Sequence, residues 1–142
     1  MKSLANALAQ FTDPQDAEQL RMLDELISHV APEQCGQEEL RSLFCVFERF
    51  PEQDGYGVFW SILHLLEACN GCDEALVESV KRKPVEFNLR MVNRLLNSGV
   101  SSVNGESLIQ LLTCIAESED EAPGTRKTAN GFLAHQSAGG AP

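Results

Sequence analysis

Apolar residues recur along this chain at the three-and-four spacing of amphipathic helices up to about residue 117, with no run that alternates like a half-buried strand. Leu4, Leu8 and Phe11 share one face of a short, uncapped opening segment. Thr12-Asp13-Pro14 offers an N-cap and a first-turn proline for a second helix, whose stripe is Leu20, Leu23, Ile27 and Val30. Glu38 and Glu39 open a third helix carrying Leu40, Leu43, Phe44, Phe47 and Phe50, and Pro51 to Gly55 stops it. A more apolar pair then follows, Val58–Cys69 and Val85–Leu96, joined by a helix over Asp73–Lys83 that ends in three cations at its negative pole. Asn104 is placed to cap a seventh helix with the stripe Leu108, Leu111, Leu112 and Ile115.

This pattern predicts an all-α protein of about seven antiparallel helices, as a helical bundle or a small HEAT-like α-solenoid. The solenoid alternative rests on the Leu-Leu pairs at 65–66, 95–96 and 111–112, which hint at hairpins repeating every 30 residues or so without a firm period. Residues 1–117 read as a single helical domain. From 118 to 142 the chain turns acidic and then Gly/Ala/Ser-rich without periodicity, and reads as a disordered, flexible tail, so that truncation after Glu117 should leave the helical core folded.

The helix over Val58–Cys69 is apolar on more than one stripe, which suits a central position. Its exception is Trp60, His64 and Glu67, which stack at i, i+4 and i+7. That strip is either a recognition surface or, because apolar residues flank Trp60 on both sides, a partly buried edge. In the helix that follows the loop at Pro84, Arg90, Asn93, Arg94 and Asn97 form the polar side, and Glu86 can pair with Arg90.

Charge narrows the functional classes. A net charge of −10 on 142 residues argues against nucleic acid, whose phosphates demand a basic stripe, and favours a basic partner, although excess acid also serves solubility alone. The acids gather around the third helix, from Glu33 to Asp54, and at Glu117 to Glu121; Tyr56 and Trp60 stand beside the first set as aromatic anchors. Five scattered cysteines inside helical stretches read as reduced thiols in a cytoplasmic protein, and no apolar run is long enough for a membrane span.

Chemistry is sparse. Cys69-Asn70-Gly71-Cys72, with His64 upstream, is the one arrangement that resembles a metal or redox site. Its first thiol falls at a helix C-terminus, where the dipole opposes a thiolate, and no second ligand pair follows, so packing thiols are expected. His29 and His135 have no motif context. No nucleophile elbow, phosphate loop, zinc-protease or dinucleotide signature occurs, so neither a catalytic residue nor a cofactor is expected.

The stretches Gly57-Val58-Phe59-Trp60-Ser61-Ile62-Leu63-His64-Leu65-Leu66-Glu67, Leu76-Val77-Glu78-Ser79-Val80, Pro84-Val85-Glu86-Phe87 and Met91-Val92-Asn93-Arg94-Leu95-Leu96-Asn97-Ser98-Gly99 resemble small all-helical immunity proteins of bacterial polymorphic-toxin and contact-dependent growth inhibition systems. The resemblance implies an intracellular, non-catalytic protein that binds a cognate toxin domain, often a basic nuclease, and blocks it. The motif residues it carries over are Trp60, Ser61, His64, Glu67, Asn93, Arg94 and Asn97. With the loop before the central helix, the expected partner-binding set is Asp54, Tyr56, Trp60, His64, Glu67, Asn93 and Asn97. The alternative is a helical adaptor for an endogenous partner.

Overall fold

The computed structural model describes residues 3–139 and is all-α apart from one two-residue hairpin. Its helices are α1 (Leu4–Ala9), α2 (Ala17–Ser28), α3 (Gln37–Arg49), α4 (Val58–Ala68), α5 (Cys72–Arg82), α6 (Glu86–Asn97), α7 (Leu108–Glu117) and α8 (Pro123–Ser137); β1 (Ser102–Val103) and β2 (Glu106–Ser107) lie between α6 and α7. The chain forms two compact units, one up to Ala75 and one from Leu76.

In the first unit α1 packs on α3, α2 on α4 and α3 on α4. The predicted stripes are what these contacts bury: Leu8 and Phe11, Leu20, Leu23 and Ile27, and Leu40, Leu43, Phe44 and Phe47. Five phenylalanines knit the helices, edge to face with centroids 5.3 Å apart for Phe11–Phe50 and 6.2 Å for Phe11–Phe59 and Phe44–Phe47, and tilted at 5.8 Å for Phe47–Phe59. Arg49 adds a polar tie from α3 to the end of α1 and the residues after it, donating to the carbonyls of Phe11 at 2.9 Å and Leu8 at 3.1 Å.

The second unit is built around α7 and α8 with α6 against both. Its buried polar anchor is Asn88, fully buried at the start of α6. Its Oδ1 accepts from the Val85 N–H at 2.8 Å, while its Nδ2 donates to Ser79 Oγ at 3.0 Å and to the Lys83 carbonyl at 2.9 Å. One amide thus satisfies three groups around the Pro84 turn, groups whose burial without partners would cost about 1–3 kcal/mol each. The expected Glu86–Arg90 pair forms at 2.9 Å, exposed and worth a few tenths of a kcal/mol at most.

Four local expectations are corrected. Helix α1 is capped, its Ser3 Oγ accepting from the Asn6 N–H at 3.1 Å. Asp13 and Pro14 form a turn, because Gln19 Oε1 reaches back to the N–H groups of Thr12 and Asp13, and Asp16 caps α2 instead. Asn104 does not cap α7. Asn104 and Gly105, at φ 51° and 80°, are the two central residues of a hairpin that pairs Val103 with Glu106, the Asn-Gly signature of a type I′ turn, and Ser107 is the cap.

The last correction concerns the tail. Residues 123–137 are helix α8 rather than a flexible segment; Ala129 is fully buried, and Gln136 Nε2 donates to Asn93 Oδ1 at 2.7 Å and Asn97 Oδ1 at 2.9 Å. The helix has little amphipathic periodicity, so tertiary contacts rather than pattern hold it. The outer ends of the two expected segments, residues 1–2 and 140–142, lie outside the described residues.

Two outcomes follow from these contacts. A chain ending at Glu117 should lose cooperative unfolding or melt well below the full chain, because α7 and α6 lose the helix that covers them; an unchanged thermal transition would show that α8 is dispensable. Gly55→Ala should cost about 2–4 kcal/mol, since φ is +58° and the new Cβ would lie 2.9 Å from Phe59 Cδ1. Gly57→Ala, at φ +93° with open space around it, should cost only about 1–2 kcal/mol. Equal losses in denaturant melts of the two variants would remove the close approach as the cause.

Candidate partner-binding face

The face with recognition features lies on the first unit and starts from the turn before α4. Gly55, Tyr56 and Gly57 all have positive φ, at 58°, 51° and 93°. Two glycines accept this readily, but a tyrosine in the left-handed region is strained by about 1–2 kcal/mol. The surroundings impose it. The Asp54 carbonyl accepts from the N–H groups of Gly57 and Phe59, its carboxylate accepts from the Tyr56 N–H at 3.0 Å, and Gly55 is pressed beneath Phe59 and Leu20.

Tyr56 is consequently turned outward, 74% exposed. Its hydroxyl donates to Gln15 Oε1 at 2.8 Å, and Gln15 Nε2 donates to Gln53 Oε1 at 2.6 Å, so the turn before α2 and the turn before α4 are clamped together. Beside the ring runs an open groove of about 530 Å³ whose walls include Leu20, Arg21 and Asp24 of α2 and Val58 of α4. Asp24 Oδ1 accepts from Ser61 Oγ at 3.2 Å, which joins the groove to the polar strip of α4.

That strip faces solvent. Trp60 is half-buried with its ring 6.1 Å from the His64 ring, and His64 and Glu67 are exposed. Asp54, Tyr56, Trp60, His64 and Glu67 therefore lie on the turn and outer side of one helix. Asn93 and Asn97 are in the second unit, half-buried, with both amide oxygens engaged by Gln136. Arg94 is half-buried beside them.

Charge is divided unevenly between the units. Residues 1–75 carry fourteen acidic and four basic side chains, whereas residues 76–142 carry seven of each, so the whole net charge of −10 belongs to the first unit. Glu117 to Glu121, grouped with the other acids in the sequence, are offset by cations within their own unit. On α2, Arg21 bridges Glu18 at 2.6 Å and Glu25 at 3.3 Å, and its hydrogen bond and charge hold the Glu18 carboxyl below the usual carboxylate range. A second groove of about 270 Å³, between α1 and α2, is walled by Phe11, Leu23 and Leu26, with Met22 half exposed at its edge.

Asp24, Gln15 and Met22 escape a reading of sequence alone. Asp24 is one more acid on the polar side of α2, and only the fold brings it to Ser61, 37 positions on.

The thiols are held as packing groups. Cys69 and Cys72 are buried, and Cys69 Sγ donates to the Leu65 carbonyl at 3.1 Å. Burial pushes both up to about 12, with help from Cys35 at Cys69 and from Asp73 at Cys72. Among the described residues no three His, Cys, Asp or Glu side chains are grouped to hold a metal, and no helix is long and apolar enough to cross a membrane.

Compared with family models, curated proteins and solved structures, the chain matches none. What the fold and this face define is a small all-α protein with a strongly acidic unit that displays one strained tyrosine.

Alkylation near the ordinary thiol value of 9.0 should modify exposed Cys114 first and leave Cys69 and Cys72 unmodified until the chain unfolds. Because the folded values of these two thiols are raised, stability should be unaffected below about 9 and should fall between 9 and 12, where the unfolded chain ionises first. Labelling of Cys69 at the rate of Cys114 in the native protein would contradict this burial.

Proposed function

We propose that this chain is a non-catalytic immunity protein that acts inside the cell, binding a basic toxin domain of nuclease type through its acidic unit and covering the surface meant for phosphate. The observation that carries the reading is the confinement of the entire net charge to the unit that also presents Tyr56 and the Trp60–His64–Glu67 strip. An enzyme that handles nucleic acid has a basic surface, and a concentrated acidic face steers onto it and raises the association rate.

The resemblance to immunity proteins supports the same reading, and its residues take different parts. Trp60, Ser61, His64 and Glu67 sit at the surface of the acidic unit and are assigned to recognition; Asn93 and Asn97, occupied by Gln136, are assigned to holding the fold. Helix α1 packs on α3 and α2 on α4 in the first unit, but no repeat pattern of a HEAT-like solenoid accompanies these pairings among the described residues. The adaptor reading uses the same face with an endogenous protein as partner.

The test is co-expression with the C-terminal domain of a large secreted protein encoded beside this chain. Growth should be rescued, and the association rate of the purified pair should fall about tenfold or more from low to high salt. Absence of rescue would reject the immunity reading and favour the adaptor. Rescue with a salt-independent association rate would reject electrostatic steering.

A further inference from the structure

We infer that the groove between α2 and the Gly55–Gly57 turn receives a basic side chain of the partner protein, an arginine or lysine whose cation sits between the Asp24 carboxylate and the Tyr56 ring. The inference rests on the reading of this unit as a binding face and specifies its anchor point. Charge complementarity selects the occupant. From Glu18 to Glu25, α2 presents three carboxylates and one cation, and that cation, Arg21, is already held by Glu18 and Glu25. Asp24 is left as the carboxylate of the groove without a basic partner: one oxygen accepts from Ser61, and the other has no partner among the described residues.

The opposite wall suits a cation as well. Tyr56 is 74% exposed, so its ring face is available for cation–π contact. Its orientation is preset, since Gln15 holds the hydroxyl and the core holds the backbone, so little ordering accompanies binding. Leu20 and Val58 supply an apolar floor for the methylene stem of a long basic side chain. Nucleic acid and anionic membranes are disfavoured by the same carboxylates.

The experiment titrates the isotope-labelled full chain with N-acetyl-arginine amide and, in parallel, with its neutral isostere N-acetyl-citrulline amide, followed by two-dimensional NMR. The arginine probe should shift the amides of Tyr56, Asp24 and Ser61, and the citrulline probe should not. Asp24→Asn keeps an acceptor for Ser61 and removes the charge; it should weaken the arginine probe about three- to fivefold. Tyr56→Asn, which tolerates the left-handed backbone, should weaken it about twofold to fivefold. Glu74→Gln removes one charge elsewhere on the same unit and should change the affinity less than about 1.5-fold.

Shifts scattered over all acidic residues, equal effects of Asp24→Asn and Glu74→Gln, or equal binding of the two probes would each overturn the groove assignment. Growth rescue without a localised arginine site would reject this anchor and leave the immunity reading standing. A localised site without rescue would do the reverse.

Discussion

The close approach of Phe59 to Gly55 is the constraint on which the first unit depends. Phe59 is fully buried in the first turn of α4 and meets Phe11 from the segment after α1 and Phe47 from α3, so it ties three parts of the unit into one aromatic core. Room for its ring exists only because residue 55 has no Cβ. The same glycine is free to take positive φ, and with it the Asp54 carbonyl receives the N–H groups of Gly57 and Phe59 and the residue between the glycines is directed outward. The turn that accommodates the core ring is thus the turn that displays a strained, exposed side chain at the surface, and in this chain that side chain is its one tyrosine. Strain held in place by surrounding structure is a pointer to function, and here its origin can be followed atom by atom.

The second unit solves a different problem. Its local order comes from side-chain amides that replace missing backbone partners: Asn88 closes the turn between α5 and α6, and Gln136 fastens α8 to the polar side of α6. Three polar residues that could have served a partner, Asn88, Asn93 and Asn97, are occupied inside the fold. With acids and bases in equal number, this unit has neither the charge nor the exposed aromatic that marks the first.

Legibility in the sequence tracks locality. The stripes of α2, α3, α4 and α7 were readable because a helix facing a core repeats its apolar residues at short range, and the polar strip at Trp60, His64 and Glu67 was readable by the same rule. The caps at Ser3 and Asp16 and the Asn104-Gly105 hairpin were also written locally, but competing signals masked them: Asp13-Pro14 imitates a helix start, and an Asn four residues before a Leu imitates a cap. Helix α8 was not legible, since a composition rich in Gly, Ala, Ser and Thr resembles disorder until Ala129 and Gln136 find their sites. The groove was illegible for a stronger reason. It joins Gln15, Asp24, Tyr56 and Ser61, whose spacing along the chain has no period, so only tertiary structure assembles it.

Concentrating charge on one unit has a cost and a use with the same physical origin. Fourteen carboxylates around a small helical core outnumber the four cations of the unit and repel one another; Arg21 serves two of the carboxylates, and Arg49 is turned toward backbone carbonyls and the Phe50 ring. Distributing those charges over both units would lessen the repulsion without changing any buried contact. A basic surface docked on the unit would lower that repulsion directly, and the gain would be largest where a carboxylate has no basic partner, as at Asp24. The feature that weakens the unit when it is alone is therefore the one that would favour a complex with a basic partner, and it would act at a distance, before any side chain has touched. Tyr56 would act only after contact. On the proposed reading, the field of the unit would govern how often a basic partner arrives, and the strained turn how it is held.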